Sequence, residues 1–240
     1  MNAIVIDKLS FYYDQNQVLS NIDLAICRGS FTGVLGPNGC GKTTLLRNIS
    51  GYLKPQKGSV KIMNWQVINL GSRERAKLVA YIPQNANSEF DFSVYQTVMM
   101  GRLPYLRPLQ RESRADRDIV IESMRLTDVL HLKDRPIGRL SGGERQRVLI
   151  ARALAQKTPV LLMDEPVSHL DIKYKLDIVA LIPQLCESLS ITAVAVFHDI
   201  ALAARFCSQT ILMKDGRIVS AGDSSSVLTR DSIEQVFGVS

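Results

Sequence analysis

The chain has 240 residues, 46% hydrophobic and 22% charged, the composition of an ordinary soluble globular protein with one ample core, most simply a single domain with a sub-lobe. Its 29 basic residues against 23 acidic give +6, a mild and scattered excess that suits an anionic ligand or a membrane-adjacent surface and weighs against a nucleic-acid groove. Cys27, Cys40, Cys186 and Cys207 form no metal-ligand spacing and no disulfide framework is expected. No signal-peptide pattern opens the chain and no apolar run approaches the roughly 18–20 residues that span a bilayer, so any membrane association is expected to go through a partner.

In chain order, the first thirty residues alternate apolar and polar (Ile4, Ile6; Ile22, Leu24, Ile26), which predicts antiparallel strands near the edge of the domain. SFTGVLG, Ser30 to Gly36, reads as a buried strand running into a glycine loop. KTTLLRNISGYL follows, with Leu45, Leu46, Ile49 and Leu53 at helical spacing. KPQKGSVKI returns to short strands, with Pro55 and Gly58 marking the turn. From about Asn85 to Pro159 helical, charged text takes over, including the run RPLQRESRADRDIVIESMRLTDVL, and predicts a helical sub-lobe inserted into an α/β core. PVLLMDEP (Pro159 to Pro166) and ITAVAVFHD (Ile191 to Asp199) are apolar strands with polar ends. TILMKDGRIVSAGD closes the core with a hairpin whose Asp215-Gly216 pair is a type I′ turn signal. Strands alternating with helices predict a mostly parallel, covered sheet.

GPNGCGKT, Gly36 to Thr43, matches the full G-x-x-x-x-G-K-[ST] pattern, with a strand before it and a helix after it. Its glycines let successive backbone N–H groups face one anion. Lys42 supplies a point charge for the β- and γ-phosphates, and the Thr43 hydroxyl is a ligand for Mg²⁺. Asp164 and Glu165 end a strand of the sheet, where α/β proteins bind ligands. Asp164 is placed to hold Mg²⁺, and Glu165 is then free to polarise a water as general base. His198, at the end of its own strand, can offer an imidazole N–H to a γ-phosphate oxygen. Gln84, just after AYIP, is placed to orient water or to touch Mg²⁺; the chemistry alone leaves both open. A second phosphate-reading element, LSGGERQRV from Leu140 to Val148, launches a helix after a serine and two glycines. Ser141 and the N–H groups of Gly142 and Gly143 are expected to be donors without partners in an isolated chain. Cys40 lies inside the phosphate loop and, if exposed there, would be a site for thiol modification that blocks ATP.

The order GPNGCGKT, YIPQ, LSGGERQRV, LLMDEP, SHLD and FHD, over essentially the whole chain, resembles an ATP-binding-cassette (ABC) ATPase. The resemblance implies a P-loop NTPase fold with a parallel sheet, an antiparallel β subdomain and an inserted helical subdomain. One domain would then cover 1–240, with a core at about 1–86 and 157–240 and the helical part at about 87–156. It implies ATP and Mg²⁺ as cofactors. Gly36, Pro37, Asn38, Gly39, Cys40, Gly41, Lys42, Thr43 and Thr44 would form the ATP loop. Tyr13 would stack on adenine, with Tyr12 as the alternative. Gln84 would contact Mg²⁺ or the water, and Asp171, in SHLD, would line a dimer seam. Two copies would pair head to tail, Ser141, Gly142 and Gly143 of each capping the ATP of the other.

A compact cassette without long insertions is expected to be a transporter motor, peripheral on the cytoplasmic face of the membrane; a soluble ATPase of DNA repair, chromosome handling or ribosome function is the alternative. No nucleic-acid partner is expected. FDFSVYQTVMMGRLPYL, Phe90 to Leu106, and the closing LTRDSIEQVFGV resemble ATPases of ferric-siderophore, haem and cobalamin importers. That implies separate permease subunits and, indirectly, a substrate-binding protein. Gly101, Arg102, Pro104 and Tyr105 would lie near the cleft that receives the permease. Val167 follows DEP where a threonine is common, a departure that alters packing beside Glu165 and removes no ligand.

Overall fold

A computed structural model describes residues 1–84, 92–107, 109–168 and 170–238. The strands are β1 (Asn2–Tyr13), β2 (Asn16–Cys27), β3 (Phe31–Leu35), β4 (Lys57–Ile62), β5 (Trp65–Gln66), β6 (Val79–Ile82), β7 (Val160–Met163), β8 (Thr192–Val196), β9 (Gln209–Lys214) and β10 (Arg217–Asp223). The helices are α1 (Lys42–Ile49), α2 (Ser72–Leu78), α3 (Val94–Met99), α4 (Arg114–Leu126), α5 (Gly142–Ala155), α6 (Ile172–Leu189), α7 (Ile200–Phe206), α8 (Ser224–Val227) and α9 (Arg230–Phe237).

The amino-terminal alternation forms the expected antiparallel sheet, in the order β2-β1-β4-β5. Ile4 pairs with Ile26, Ile6 with Leu24 and Leu9 with Ile22. These six side chains are all buried: a period of two sends Ile4 and Ile6, and Ile22, Leu24 and Ile26, to one face, and a bulge between Ile6 and Leu9, with Lys8 at φ 46°, returns Leu9 to it. A second sheet runs β10-β9-β3-β8-β7-β6. Its strands from β9 to β6 are parallel, and β10 joins as an antiparallel edge through the hairpin. Asp215 (φ 47°) and Gly216 (φ 72°) are both left-handed, as a type I′ turn requires.

Both faces of this sheet are covered at its centre, which is why β7 and β8 are buried along their whole length rather than alternating. Leu161, Met163, Ala193 and Ala195 face α5, α6 and α7. Their neighbours Val160, Leu162, Val194 and Val196 face α1 and the antiparallel sheet. A third apolar cluster lies within the helical segment, where Val94, Val98, Val120, Met124, Leu132 and Val148 pack together.

Two helix boundaries differ from the sequence expectation. α1 stops at Ile49, and Leu53 follows a Gly51 at φ 72°, a backbone angle that ends a helix. The helix expected across RPLQRESRADRDIVIESMRL begins only at Arg114. There Ser113 caps it, accepting from the Asp116 N–H at 3.2 Å, while the Asp116 carboxylate takes the Ser113 N–H at 3.0 Å. That capping box fixes the start.

Candidate nucleotide site

Sheet order decides the site. In the run β3-β8-β7-β6, the segments leaving the four carboxyl ends carry, side by side, the phosphate loop, His198, Asp164-Glu165 and Gln84. This is the edge where parallel sheets bind ligands.

The phosphate loop bends through Gly36 (φ 156°), Gly39 (φ 79°) and Gly41 (φ 102°) into α1. A Cβ at Gly36 would stand 2.2 Å from the Met213 carbonyl oxygen, so no other residue fits there. Lys42 is buried and its Nζ donates to the carbonyls of Gly36 (2.8 Å) and Pro37 (2.9 Å). The cation is thus held across its own loop, at the place where an anion would sit. Cys40 is buried as well, and burial pushes its thiol pKa up despite the nearby Lys42 charge. The expectation of a reactive loop thiol is therefore corrected: in this conformation Cys40 is neither accessible nor ionised readily.

Asp164 is buried, and each carboxylate oxygen takes one hydroxyl: Thr43 Oγ1 at 2.9 Å on Oδ1 and Tyr81 Oη at 3.0 Å on Oδ2. Its backbone N–H donates to the Ile82 carbonyl at 2.9 Å. Burial, with the Asp164 charge second, pushes the Tyr81 phenol up to about 12, so it remains a donor. Glu165 is gripped in the same way: Gln84 Nε2 reaches Oε2 at 2.7 Å and His198 Nε2 reaches Oε1 at 2.7 Å. Its backbone is left-handed at φ 51°, a strained geometry for a residue with a side chain and one that concentrates at functional sites. A cavity of about 110 Å³ beside it is lined by Val167, Lys175, His198 and Asp199, among others. Val167 is buried there, a packing role with no polar contact.

Hard oxygen donors at Thr43 and Asp164 suit Mg²⁺, which is held by few protein oxygens together with phosphate and water. Among the described residues no group of three or more His, Cys, Asp or Glu side chains could hold a metal by itself. A larger cavity of about 330 Å³ lies between Leu154, Lys157, Leu189 and Ile191, at the opposite ends of β7 and β8, and contains none of these residues.

The signature element is built differently from the sequence expectation. Ser141 caps α5, but its N–H (2.8 Å) and its hydroxyl (2.7 Å) both donate to Glu144. Ser141 is therefore not a donor without a partner. Glu144 stands three residues into the helix, which is where a capping box places its acid. The Gly142 and Gly143 N–H groups have no partner among the described residues. Gly143 must be glycine because the Tyr174 ring of α6 covers it, 2.7 Å from where a Cβ would be. Among the described residues no hydrogen bond or ion pair joins these residues to the phosphate loop. Asp171 caps α6 with no side-chain bond and is exposed. Its neighbour His169, in SHLD, lies outside the described residues. Tyr13 ends β1, 42% exposed and edge-on to Phe11 at 4.9 Å. Tyr12 is half-buried, its backbone paired to Gln56.

In the segment expected near a permease cleft, the Arg102 and Tyr105 side chains are engaged within the chain. Arg102 is buried: Nε meets Asp116 Oδ1 at 2.9 Å, Nη1 donates to the Ala155 carbonyl at 2.7 Å, and its guanidinium lies 4.1 Å from the Tyr105 ring centre. Tyr105 Oη donates to the Gln156 carbonyl at 2.9 Å. Gly101 is pressed against Arg152. These residues brace α4 and α5, and the side chain that faces outward here is Leu103. Phe90 and Asp91 of the same stretch lie outside the described residues. Sequence reasoning missed Tyr81, Glu144 and Asp116. The only signal for Tyr81 was one polar-tipped residue in an apolar strand; for Glu144 and Asp116 it was the S-x-x-E/D spacing.

The family model described as "ABC transporter" matches residues 19–168. The ferric enterobactin transport ATP-binding protein of Escherichia coli K12 is 36% identical over 233 residues, 97% of this chain and 86% of that protein. A cobalamin import ATP-binding protein of Halobacterium salinarum is 40% identical over 221 residues, 92% of this chain and 55% of its own. Among solved structures, a dimeric ATP-binding cassette in a post-hydrolysis state, bound to ADP and Pi, superposes with a TM-score of 0.80 at 28% identity, covering 92% of this chain and 98% of that one. With the phosphate loop, the paired acids and the capped signature helix on one scaffold, the chain belongs to the ABC transporter ATP-binding family and is an ATPase of that family.

Proposed function

We propose that the chain is the ATP-hydrolysing subunit of an importer for a ferric siderophore, haem or corrinoid, acting as a head-to-tail homodimer against separate permease subunits on the cytoplasmic face of a membrane. The observation that carries the cargo class is similarity, over 92–97% of this chain, to proteins named for ferric enterobactin transport and cobalamin import. No described helix is long and apolar enough to cross a membrane, which accords with a separate membrane partner. A substrate-binding protein on the far side would deliver the cargo.

In this reading Tyr13 stacks on adenine, and residues Gly36 to Thr44 wrap the phosphates. Lys42 leaves the Gly36 and Pro37 carbonyls for a phosphate oxygen, exchanging two neutral acceptors for a charged one. Thr43 and Asp164 would hold Mg²⁺, which would supply neutralisation of the phosphate charge. Glu165 takes the proton of the attacking water. Each of its oxygens carries one N–H donor and keeps a second lone pair for that water, and a γ-phosphate is an acceptor that can draw the His198 N–H away. Asp171 lies on the seam between copies.

A single chain contains a phosphate loop but spends its Ser141 hydroxyl on its own Glu144. Closing a dimer would move that hydroxyl, with the Gly142 and Gly143 N–H groups, onto the partner's ATP. Hydrolysis then removes the bridging γ-phosphate and the clamp reopens.

The test is to purify the tagged chain from membranes of its own cells. A many-helix permease with no fused ATPase is expected to accompany it, and transport of a ferric siderophore, haem or corrinoid should stop when the chain is deleted. A DNA- or ribosome-bound partner would overturn the transporter reading, and loss of an unrelated solute alone would overturn the cargo.

A further inference from the structure

We infer that Tyr81 is a positioning residue for the metal site: by holding one oxygen of Asp164, it turns the other toward Thr43. Three observations meet here. Asp164 follows β7 and Tyr81 lies on the adjacent parallel strand β6, with Tyr81 opposite Leu162 and Ile82 opposite Met163. That register brings the Tyr81 hydroxyl to Oδ2 at 3.0 Å while the next residue's carbonyl, that of Ile82, takes the Asp164 N–H at 2.9 Å. β6 therefore grips both the backbone and the side chain of Asp164. Among the described residues the opposite oxygen, Oδ1, meets the Thr43 hydroxyl, at 2.9 Å, the second hard donor of the site. Two hydroxyls on opposite oxygens of a carboxylate with 2% exposure fix its plane, and the Tyr81 bond to Oδ2 keeps Oδ1 on the side of Thr43.

The inference rests on reading Asp164 as a metal-holding residue, and its test separates the two. Tyr81→Phe removes the hydroxyl and keeps the ring. The protein, saturated with ADP so that no turnover occurs, is titrated with Mn²⁺ and free ion is read by electron paramagnetic resonance. Asp164→Asn serves as reference, and ADP affinity is also measured in EDTA. The expected result is a loss of Mn²⁺ affinity of about tenfold in Tyr81→Phe, the low end for a residue behind a metal ligand, with a changed Mn²⁺ line shape and unchanged ADP affinity in EDTA. Wild-type Mn²⁺ affinity in Tyr81→Phe, alongside a loss in Asp164→Asn, overturns the positioning role alone. Wild-type affinity in Asp164→Asn overturns the metal reading and this inference with it. An equal fall of ADP affinity with and without metal in Tyr81→Phe also overturns it, because that pattern belongs to a packing role.

Discussion

The buried Arg102–Asp116 pair decides whether the inward-turned segment is a structural brace. Asp116→Ala leaves Arg102, 7% exposed, with only the Ala155 carbonyl and the Tyr105 ring for its charge. Removing one partner of a buried ion pair costs about 3–5 kcal/mol. Loss of the α4 capping box, where Asp116 takes the Ser113 N–H and hydroxyl, overlaps that cost and adds about 1 kcal/mol at most. For a chain of this size each kcal/mol lowers the melting temperature by about 2–4 °C, so the variant should melt roughly 6–24 °C lower. Thermal unfolding followed by circular dichroism reads this directly. Arg102→Met with Asp116→Leu should recover most of the loss, since a packed apolar pair of similar volume is often neutral against a buried ion pair. A shift below about 2 °C in Asp116→Ala, or a double variant as unstable as the single one, would show that the pair is not what holds α4 to α5.

Three further outcomes test the site. Glu165→Gln should keep ATP binding, lower turnover by about 10²–10⁴-fold and accumulate an ATP-bound dimer on gel filtration; near-normal hydrolysis would remove Glu165 as the base. Ser141→Arg should spare nucleotide binding by the single chain and abolish ATP-driven dimerisation, and normal dimerisation would sink the assignment of Ser141 to a partner's site. The acid limb of stability should involve the two capping carboxyls. Hydrogen bonds from Ser113 hold Asp116, and bonds from Ser141 hold Glu144, below the ordinary carboxylate range. A lowered folded-state pKa means that the stability each adds is complete above that range and disappears as pH falls through the lowered value. Glu144→Gln should therefore flatten part of the acid unfolding curve, and an unchanged acid limb would refute the linkage for that cap.

Much of the fold was legible because the relevant signals are local. Gly36, Gly39 and Gly41 announce a loop only glycine can follow, and Asp215-Gly216 announces a hairpin, since both depend on backbone angles set within a few residues. The alternation of Ile4, Ile6, Ile22, Leu24 and Ile26 likewise fixes which face is buried, though not which strand is its neighbour. The phosphate loop, Asp164, Glu165, His198 and Gln84 could be named as candidates from strand ends alone. The boundaries at Ile49 and Arg114 escaped because they turn on Gly51 and on the Ser113 cap rather than on apolar spacing.

What tertiary structure alone decided is who meets whom. Sheet order β3-β8-β7-β6 is a long-range choice made by packing, and it is what places four strand ends together. From it follow the grips of Tyr81 and Thr43 on Asp164 and of Gln84 and His198 on Glu165. Burial then reassigned Arg102 from a surface expectation to an internal brace, because a guanidinium shielded from water must find a carboxylate, and Asp116 was within reach. The amino-acid order by itself specified the chemical groups of the site; the registry between strands distant in the chain determined the geometry in which they meet.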